Sequence, residues 1–177
     1  MPIIIKKTCA MFTIMLLGCL SSIDSCASEV TKEDKVKAAI IYKLTKFITW
    51  PEKKQTLTLC IIGSGAINSE LLKINHKFSM GRKFSVTRQN PKAPLDKLCD
   101  LVYIHNTKVS DTQEVLNILE NKSVLTISDS DQFVYQGGVI GLFRTGSRIQ
   151  FAISKSAAKN AHISISSQLM DLAKVVK

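Results

Sequence analysis

The sequence predicts an α/β fold, a single domain built on a mostly parallel sheet with helices on both faces and an antiparallel hairpin at one edge. Three observations carry this expectation. Apolar runs such as Leu57-Thr58-Leu59-Cys60-Ile61-Ile62 and Asp100-Leu101-Val102-Tyr103-Ile104-His105 are short and nearly continuous, as in strands buried on both faces. Stretches with helical spacing separate these runs through the first two-thirds of the chain, and strand-helix alternation implies parallel pairing through crossovers. Near the C-terminus two strand-like runs, Gly138 to Phe143 and Arg148 to Ile153, flank Thr145-Gly146-Ser147, a connection short enough for a hairpin.

Thr31-Lys32-Glu33-Asp34 resembles a capping box, and Val36, Ala39, Ile40, Leu44, Phe47 and Ile48 then recur at helical spacing until Trp50-Pro51 stops the pattern. The strand Leu57 to Ile62 ends at Gly63, and a helix from about Ile67 to Asn75 follows. Phe84 to Arg88 alternates apolar and polar residues as a second strand, and Asp100 to His105 makes a third. Ser110-Asp111-Thr112-Gln113 offers another capping box, with Val115, Leu116 and Leu119 continuing the helix toward the strand Val124 to Ile127. Ala157 to Ala161 and Ser166 to Val175 are helical by pattern and close the chain.

The first 27 residues read as a leader rather than as part of the domain. Lys6 and Lys7 form a positive start, Thr8 to Leu20 is apolar, and Ser25-Cys26-Ala27 supplies small residues before a cut at Ser28. The apolar run is shorter than the ~20 residues needed to cross a bilayer. Residues 28–177 then form an exported domain. Leu16-Leu17-Gly18-Cys19 resembles a lipobox and offers the alternative of a lipoprotein anchored through Cys19. Cysteine parity favours cleavage: a cut after Ala27 leaves the single pair Cys60 and Cys99, whereas lipidation at Cys19 strands Cys26.

The chain carries 24 Lys plus Arg against 14 Asp plus Glu, and loss of Lys6, Lys7 and Asp24 with the leader leaves 22 against 13, a balance of +9. An exported chain meets little nucleic acid, and the lysines are spread along the sequence without interleaved aromatics, so nucleic acid is not the expected partner. An acidic partner domain or an anionic membrane surface suits the charge, beside the plainer reading of a well-solvated surface.

These residues also resemble a known family. Val36-Lys37-Ala38-Ala39, Lys46-Phe47, Trp50-Pro51 and Leu57 to Gly63 are similar to the opening of the YfiR/HmsC-like proteins of the bacterial envelope. Gly81-Arg82, Leu98 to Ile104, Leu125-Thr126-Ile127-Ser128-Asp129, Phe133 with Gly137 to Ile140, Arg148 to Phe151, Ala157-Ala158 and Ile165 to Leu169 follow in the family's order. Lys43, Ala152, Ser154 and His162 depart from its usual asparagine, acidic residue, asparagine and glycine. The resemblance implies a periplasmic regulator that binds the periplasmic domain of an inner-membrane diguanylate cyclase and holds down cyclic di-GMP output, and with it biofilm formation. It further implies sequestration by an OmpA-like outer-membrane lipoprotein and destabilisation when a disulfide is reduced. A second copy of the chain is a further candidate partner.

The cysteines support one part of this picture independently. Cys60 lies inside a predicted strand and Cys99 just before another, so adjacent parallel strands bring them within bridging distance, and an oxidising compartment closes such a pair. The bond is either an ordinary staple or a redox sensor. Some family members carry a second cysteine pair and this chain does not, so any redox response rests on Cys60 and Cys99.

Other candidate sites follow from single features. Phe47 and Trp50 are either a partner-binding anchor at the end of the first helix or part of the core. Arg82, Arg144 and Arg148 are candidates for a pocket that holds a small anion, the basis of an alternative function as a periplasmic small-molecule binding module. Gly63-Ser64-Gly65 stands where a phosphate loop would, but Asn68 occupies the third glycine position of G-x-G-x-x-G, and a plain turn is preferred. Ser128, Asp129, Ser130 and Asp131 lie at the end of a predicted parallel strand, as ligand contacts or as helix caps. His76, His105 and His162 are far apart, no nucleophile or C-x-x-C motif accompanies them, and neither an enzyme nor a cofactor is expected.

Overall fold

The first helix forms where its cap predicts. In this structure, a computed structural model that describes residues 29–176, α1 spans Lys32–Leu44. The Asp34 amide donates to the Thr31 hydroxyl (3.1 Å) and the Thr31 amide donates to the Asp34 carboxylate (2.8 Å), the reciprocal bonds of a capping box. Ala38, Ile41 and Leu44 make its buried face. The expected leader, with Cys19, lies outside the described residues.

The helical pattern runs on to Ile48, but the helix does not. The chain tightens into a 3-10 turn at Thr45–Phe47 and extends into β1, Ile48–Thr49, which pairs antiparallel with β9, Ser164–Ile165. Thr45 is fully buried and its hydroxyl donates to the Tyr42 carbonyl (2.7 Å), closing the turn. β-Branched Ile48 and Thr49 favour the extended form, and Pro51 forces it on Trp50.

The remaining strands are β2 (Thr56–Ile62), β3 (Phe78–Ser79), β4 (Arg82–Arg88), β5 (Leu101–Ile104), β6 (Leu125–Ser128), β7 (Ile140–Thr145), β8 (Arg148–Ile153) and β10 (Val175–Val176). They form one sheet in the order β3-β4-β2-β5-β6-β7-β8-β10. Strands β4, β2, β5, β6 and β7 are parallel, β3 and β8 run antiparallel to their neighbours β4 and β7, and β10 is parallel to β8. The parallel set has the strand order of a doubly wound sheet, with the order of strand addition reversing between β2 and β5.

Helices cover both faces, as expected. Alternate residues of β2 point opposite ways: Leu57, Leu59 and Ile61 join Ile41, Leu44, Phe84 and Tyr103 in one core, under α1 and α2 (Ile67–Leu72). Cys60 and Ile62 join Val102, Ile104, Val115 and Phe133 in the other, under α3 (Leu95–Leu98) and α4 (Val109–Ile118). The predicted hairpin is present, with Thr145 opposite Arg148 and Gly146 at φ 59° in the two-residue loop.

Several boundaries move. Helix α4 starts after Lys108 with no side-chain cap, so Ser110 sits inside its first turn and the expected box is not formed. α2 stops at Leu72 rather than Asn75, because Asn75 is used elsewhere: its side-chain oxygen accepts from the Val86 amide (3.1 Å). Helix α5 (Lys155–Asn160) is capped by Ser154, and α6 (Ser167–Leu172) by Ser166. The expected continuation to Val175 instead becomes extended at Ala173, and β10 pairs with Ala152 and Ile153. No helix among the described residues is long and apolar enough to cross a membrane.

Candidate functional site

The sheet's two ends carry different chemistry. At the end where the parallel strands begin, Cys60 and Cys99 form a disulfide with Cα atoms 5.8 Å apart, made possible because β5 lies directly beside β2. Cys60 is wholly buried and Cys99 is 3% exposed.

Asp100, next to Cys99, is the hub of this end. Its carboxylate accepts from the Thr58 amide and from Lys54 Nζ, both at 2.8 Å. Its amide donates to the Thr58 carbonyl, and its carbonyl accepts from the Leu125 amide (2.9 Å) and Trp50 Nε1 (3.1 Å). One residue thus ties β2, β6 and the indole to the segment that holds the disulfide. The hydrogen bond to Asp100 raises the Lys54 pKa against the opposing effect of burial. A cleft of about 210 Å³ opens beside Cys99, lined by Trp50, Lys54, Asp96, Asp100 and Lys122 among others. Asp100 was not singled out from the sequence, although a carboxylate at the head of a fully apolar run is itself a signal, because such a group must be paired.

Trp50 is 6% exposed, so the indole belongs to the core and not to an open anchor, and Phe47 is half-buried against the same cluster. Arg82 lies over the indole at 4.8 Å from the ring centre. The three arginines do not share a pocket. Arg82 starts β4 near one edge of the sheet, while Arg144 and Arg148 flank the β7–β8 turn with β2, β5 and β6 in between. Arg144 is engaged by Glu33 (3.4 Å) and the Gly146 carbonyl (2.7 Å). A second cleft, about 310 Å³, lies between α4, the Asp131–Tyr135 turn and α5. Gln113, Asn117, Thr126, Gln136, Ser154 and Asn160 give it a hydrogen-bonding wall, Glu120 adds a carboxylate, and neither lysine nor arginine lines it.

At the end where the parallel strands finish, the switch-point crevice is filled by the protein's own side chains. His105 is buried, stacks on Tyr103 with ring centres 5.0 Å apart, and meets the Asn68 side-chain oxygen through Nε2 at 2.6 Å. Asn68 also donates to the Gly63 carbonyl (3.1 Å), so the residue at the third glycine position closes the loop that a phosphate would need open. A Cβ on Gly63 would lie 1.7 Å from the His105 carbonyl oxygen, and φ there is +111°. The preferred reading of Gly63-Ser64-Gly65, a plain strand-to-helix turn, agrees with this packing.

Beside it runs a chain of polar contacts between α1 and the sheet. Lys37 pairs with Glu33 (2.8 Å) and Asp129 (3.1 Å), and Asp129 accepts a hydrogen bond from the Tyr103 hydroxyl. Burial, then the Asp129 carboxylate, pushes the Tyr103 pKa up, which keeps the phenol a donor. Burial lowers the His105 pKa and keeps the imidazole neutral. Lys37 ends raised, because Glu33 and Asp129 together outweigh the cost of its burial. Tyr103→Phe preserves the ring stack but leaves one Asp129 oxygen without its donor. Urea denaturation is expected to show a loss of about 1–2 kcal/mol. An unchanged midpoint would mean the phenol bond contributes nothing.

The Ser128–Asp131 segment is accounted for structurally. Asp129 anchors α1 through Lys37, and the Ser130 hydroxyl accepts from the Gln132 amide (3.2 Å) to cap a 3-10 turn. Among the described residues no group of three or more His, Cys, Asp or Glu could hold a metal.

A family model described as DUF4154, YfiR/HmsC-like, matches residues 34–174. Among solved structures, a conserved domain protein from Vibrio cholerae is similar at TM-score 0.58 and 10% identity, with 81% of this chain and 60% of that one covered. An ABC domain from Streptococcus pneumonia, solved with L-Trp, is similar at TM-score 0.56 and 12% identity over the same shares of the two chains. This chain therefore spans about 60% of the length of each, and at these identities the likeness is one of fold. The family match covers both cysteines, the Asp100 hub, and the contacts of Asp129 with Lys37 and Tyr103. The chain belongs to the YfiR/HmsC-like family, a family of periplasmic regulatory proteins.

Proposed function

We propose that this protein works in the periplasm as a repressor of an inner-membrane diguanylate cyclase, binding the cyclase's periplasmic domain and lowering cyclic di-GMP output and biofilm formation. The family match over residues 34–174 carries the reading. The surroundings of the disulfide support a link to redox state. Cys99 precedes the residue that holds β2, β6 and Trp50 together, so reduction would weaken a whole end of the sheet. In this reading an OmpA-like outer-membrane lipoprotein competes for the repressor, a second copy of the chain is a further partner, and catalysis belongs to the cyclase alone. The arginines lie apart and the larger cleft holds no cation, so nothing favours the anion-binding alternative.

The test is intracellular cyclic di-GMP in the source bacterium with and without this gene, complemented by wild type and by C60S. Deletion is expected to raise the nucleotide severalfold, with wild type but not C60S restoring it. Unchanged levels at rest and under envelope stress would sink the repressor reading.

A further inference from the structure

The β3–β4 hairpin presents two apolar side chains that the fold does not use. Phe78 is 64% exposed and Met80 is 70% exposed. Met80 and Gly81 form the two-residue loop between Ser79 and its cross-strand partner Arg82, both with positive φ, 51° and 78°. Such loops favour Asn and Gly, and a methionine there is conformationally unfavourable. Neither core packing nor turn chemistry therefore explains the residue.

Four lysines lie on the segments that build this end. Lys77 and Lys83 flank the tip on the hairpin, and Lys43 and Lys46 come from the end of α1 and the turn after it. That segment is held against the hairpin by bonds from Tyr42 to the Phe78 carbonyl (2.5 Å) and between the Thr45 and Ser79 hydroxyls (3.0 Å). All four lysines are exposed, and none forms an ion pair among the described residues. The two segments that build this end, residues 35–51 and 71–95, contain no Asp or Glu at all. Residues 132–170 are free of Asp and Glu too, but there Arg144 is paired with Glu33.

We propose that the β3–β4 hairpin docks this protein on an anionic phospholipid surface, with Phe78 and Met80 entering the boundary between headgroups and acyl chains and Lys43, Lys46, Lys77 and Lys83 meeting lipid phosphates. Charge complementarity selects this occupant. Lysine is a flexible, strongly hydrated point charge that suits a fluid layer of phosphates, whereas protein interface cores are depleted in lysine and enriched in arginine, tyrosine and tryptophan. Strand addition by a protein partner is disfavoured because β3 is two residues long and the Phe78 carbonyl is already taken by Tyr42. The inference stands independently of cyclase repression.

The test uses the protein purified after export, sedimented with vesicles of phosphatidylcholine alone or with an equal part of phosphatidylglycerol. Binding is expected to the mixed vesicles only and to fade with added salt. F78S/M80N should weaken it about tenfold, and each of K77Q and K83Q about fivefold. M80N also serves as a folding control, since asparagine tolerates the positive φ and the melting temperature should hold or rise. Absence of binding to the mixed vesicles overturns the proposal. So does binding indifferent to F78S/M80N, which would be adsorption by charge alone. Loss of cyclase-domain capture in F78S/M80N with vesicle binding intact would make the tip a protein interface and overturn it equally.

Discussion

Replacing the disulfide with an alanine pair, C60A/C99A, will lower the unfolding free energy by about 4 kcal/mol. The cysteines are 39 residues apart, and the bridge removes the freedom of that loop from the unfolded chain. Alanine is the informative substitute because both sites are apolar and buried, and a serine hydroxyl would add an unpaired polar group. Domains of this size are stable by about 5–15 kcal/mol, so the loss takes a large fraction of what holds the fold. Urea denaturation of oxidised wild type and of C60A/C99A measures it directly. A loss under about 1 kcal/mol would show that the bridge scarcely constrains the unfolded chain, and would remove the energetic basis for redox control. The burial of both sulfurs adds a kinetic expectation. A thiolate must reach a sulfur to exchange with it, so reduction waits for the sheet end to open, and its rate should level off as dithiothreitol is raised. A rate that climbs in proportion throughout would mean the bond is accessible in the native fold.

The parts of this architecture that could be read in advance are those whose sequence signal is local. The Leu57–Ile62 and Leu101–Ile104 segments are apolar on both faces and announce central strands, and the box at Thr31 announces a helix start. The disulfide needed only those strands to be neighbours. β1, β3, β9 and β10 were missed because two residues carry no readable period; each forms through pairing with a distant segment. The α1 pattern ran past its true end because Phe47 and Ile48 are buried from a turn and a strand as readily as from a helix. The site was less legible still. Lys37 and Asp129 are 92 positions apart, and nothing at either position predicts their meeting. The basic composition was plain, yet only the fold separates Arg82 from Arg144 and brings the segment with Lys43 and Lys46 against the hairpin that carries Phe78 and Met80.

Trp50→Ala is the second large effect, with an expected loss of about 3–5 kcal/mol. The indole belongs to the same buried cluster as Ile48 and Leu57, and its removal leaves a cavity next to the cleft at Cys99. The hydrogen bond is the smaller part of the cost, because the Asp100 carbonyl keeps its bond from the Leu125 amide when Nε1 is gone. Trp50→Phe should therefore recover much of the loss: it restores one aromatic ring and a face for Arg82, and lacks the donor, at about 1 kcal/mol, and the rest of the indole bicycle. Because Trp50 and Cys99 both brace Asp100, W50A and C60A/C99A should not add independently, and a double-mutant cycle would report their coupling. Urea unfolding of wild type, W50A, C60A/C99A and the combined variant decides this. A loss under about 1 kcal/mol for W50A would contradict the core assignment and return the indole to the binding surface. A large loss, with partner binding kept at temperatures where W50A is folded, would make Trp50 the prop that carries the state of the disulfide into the sheet.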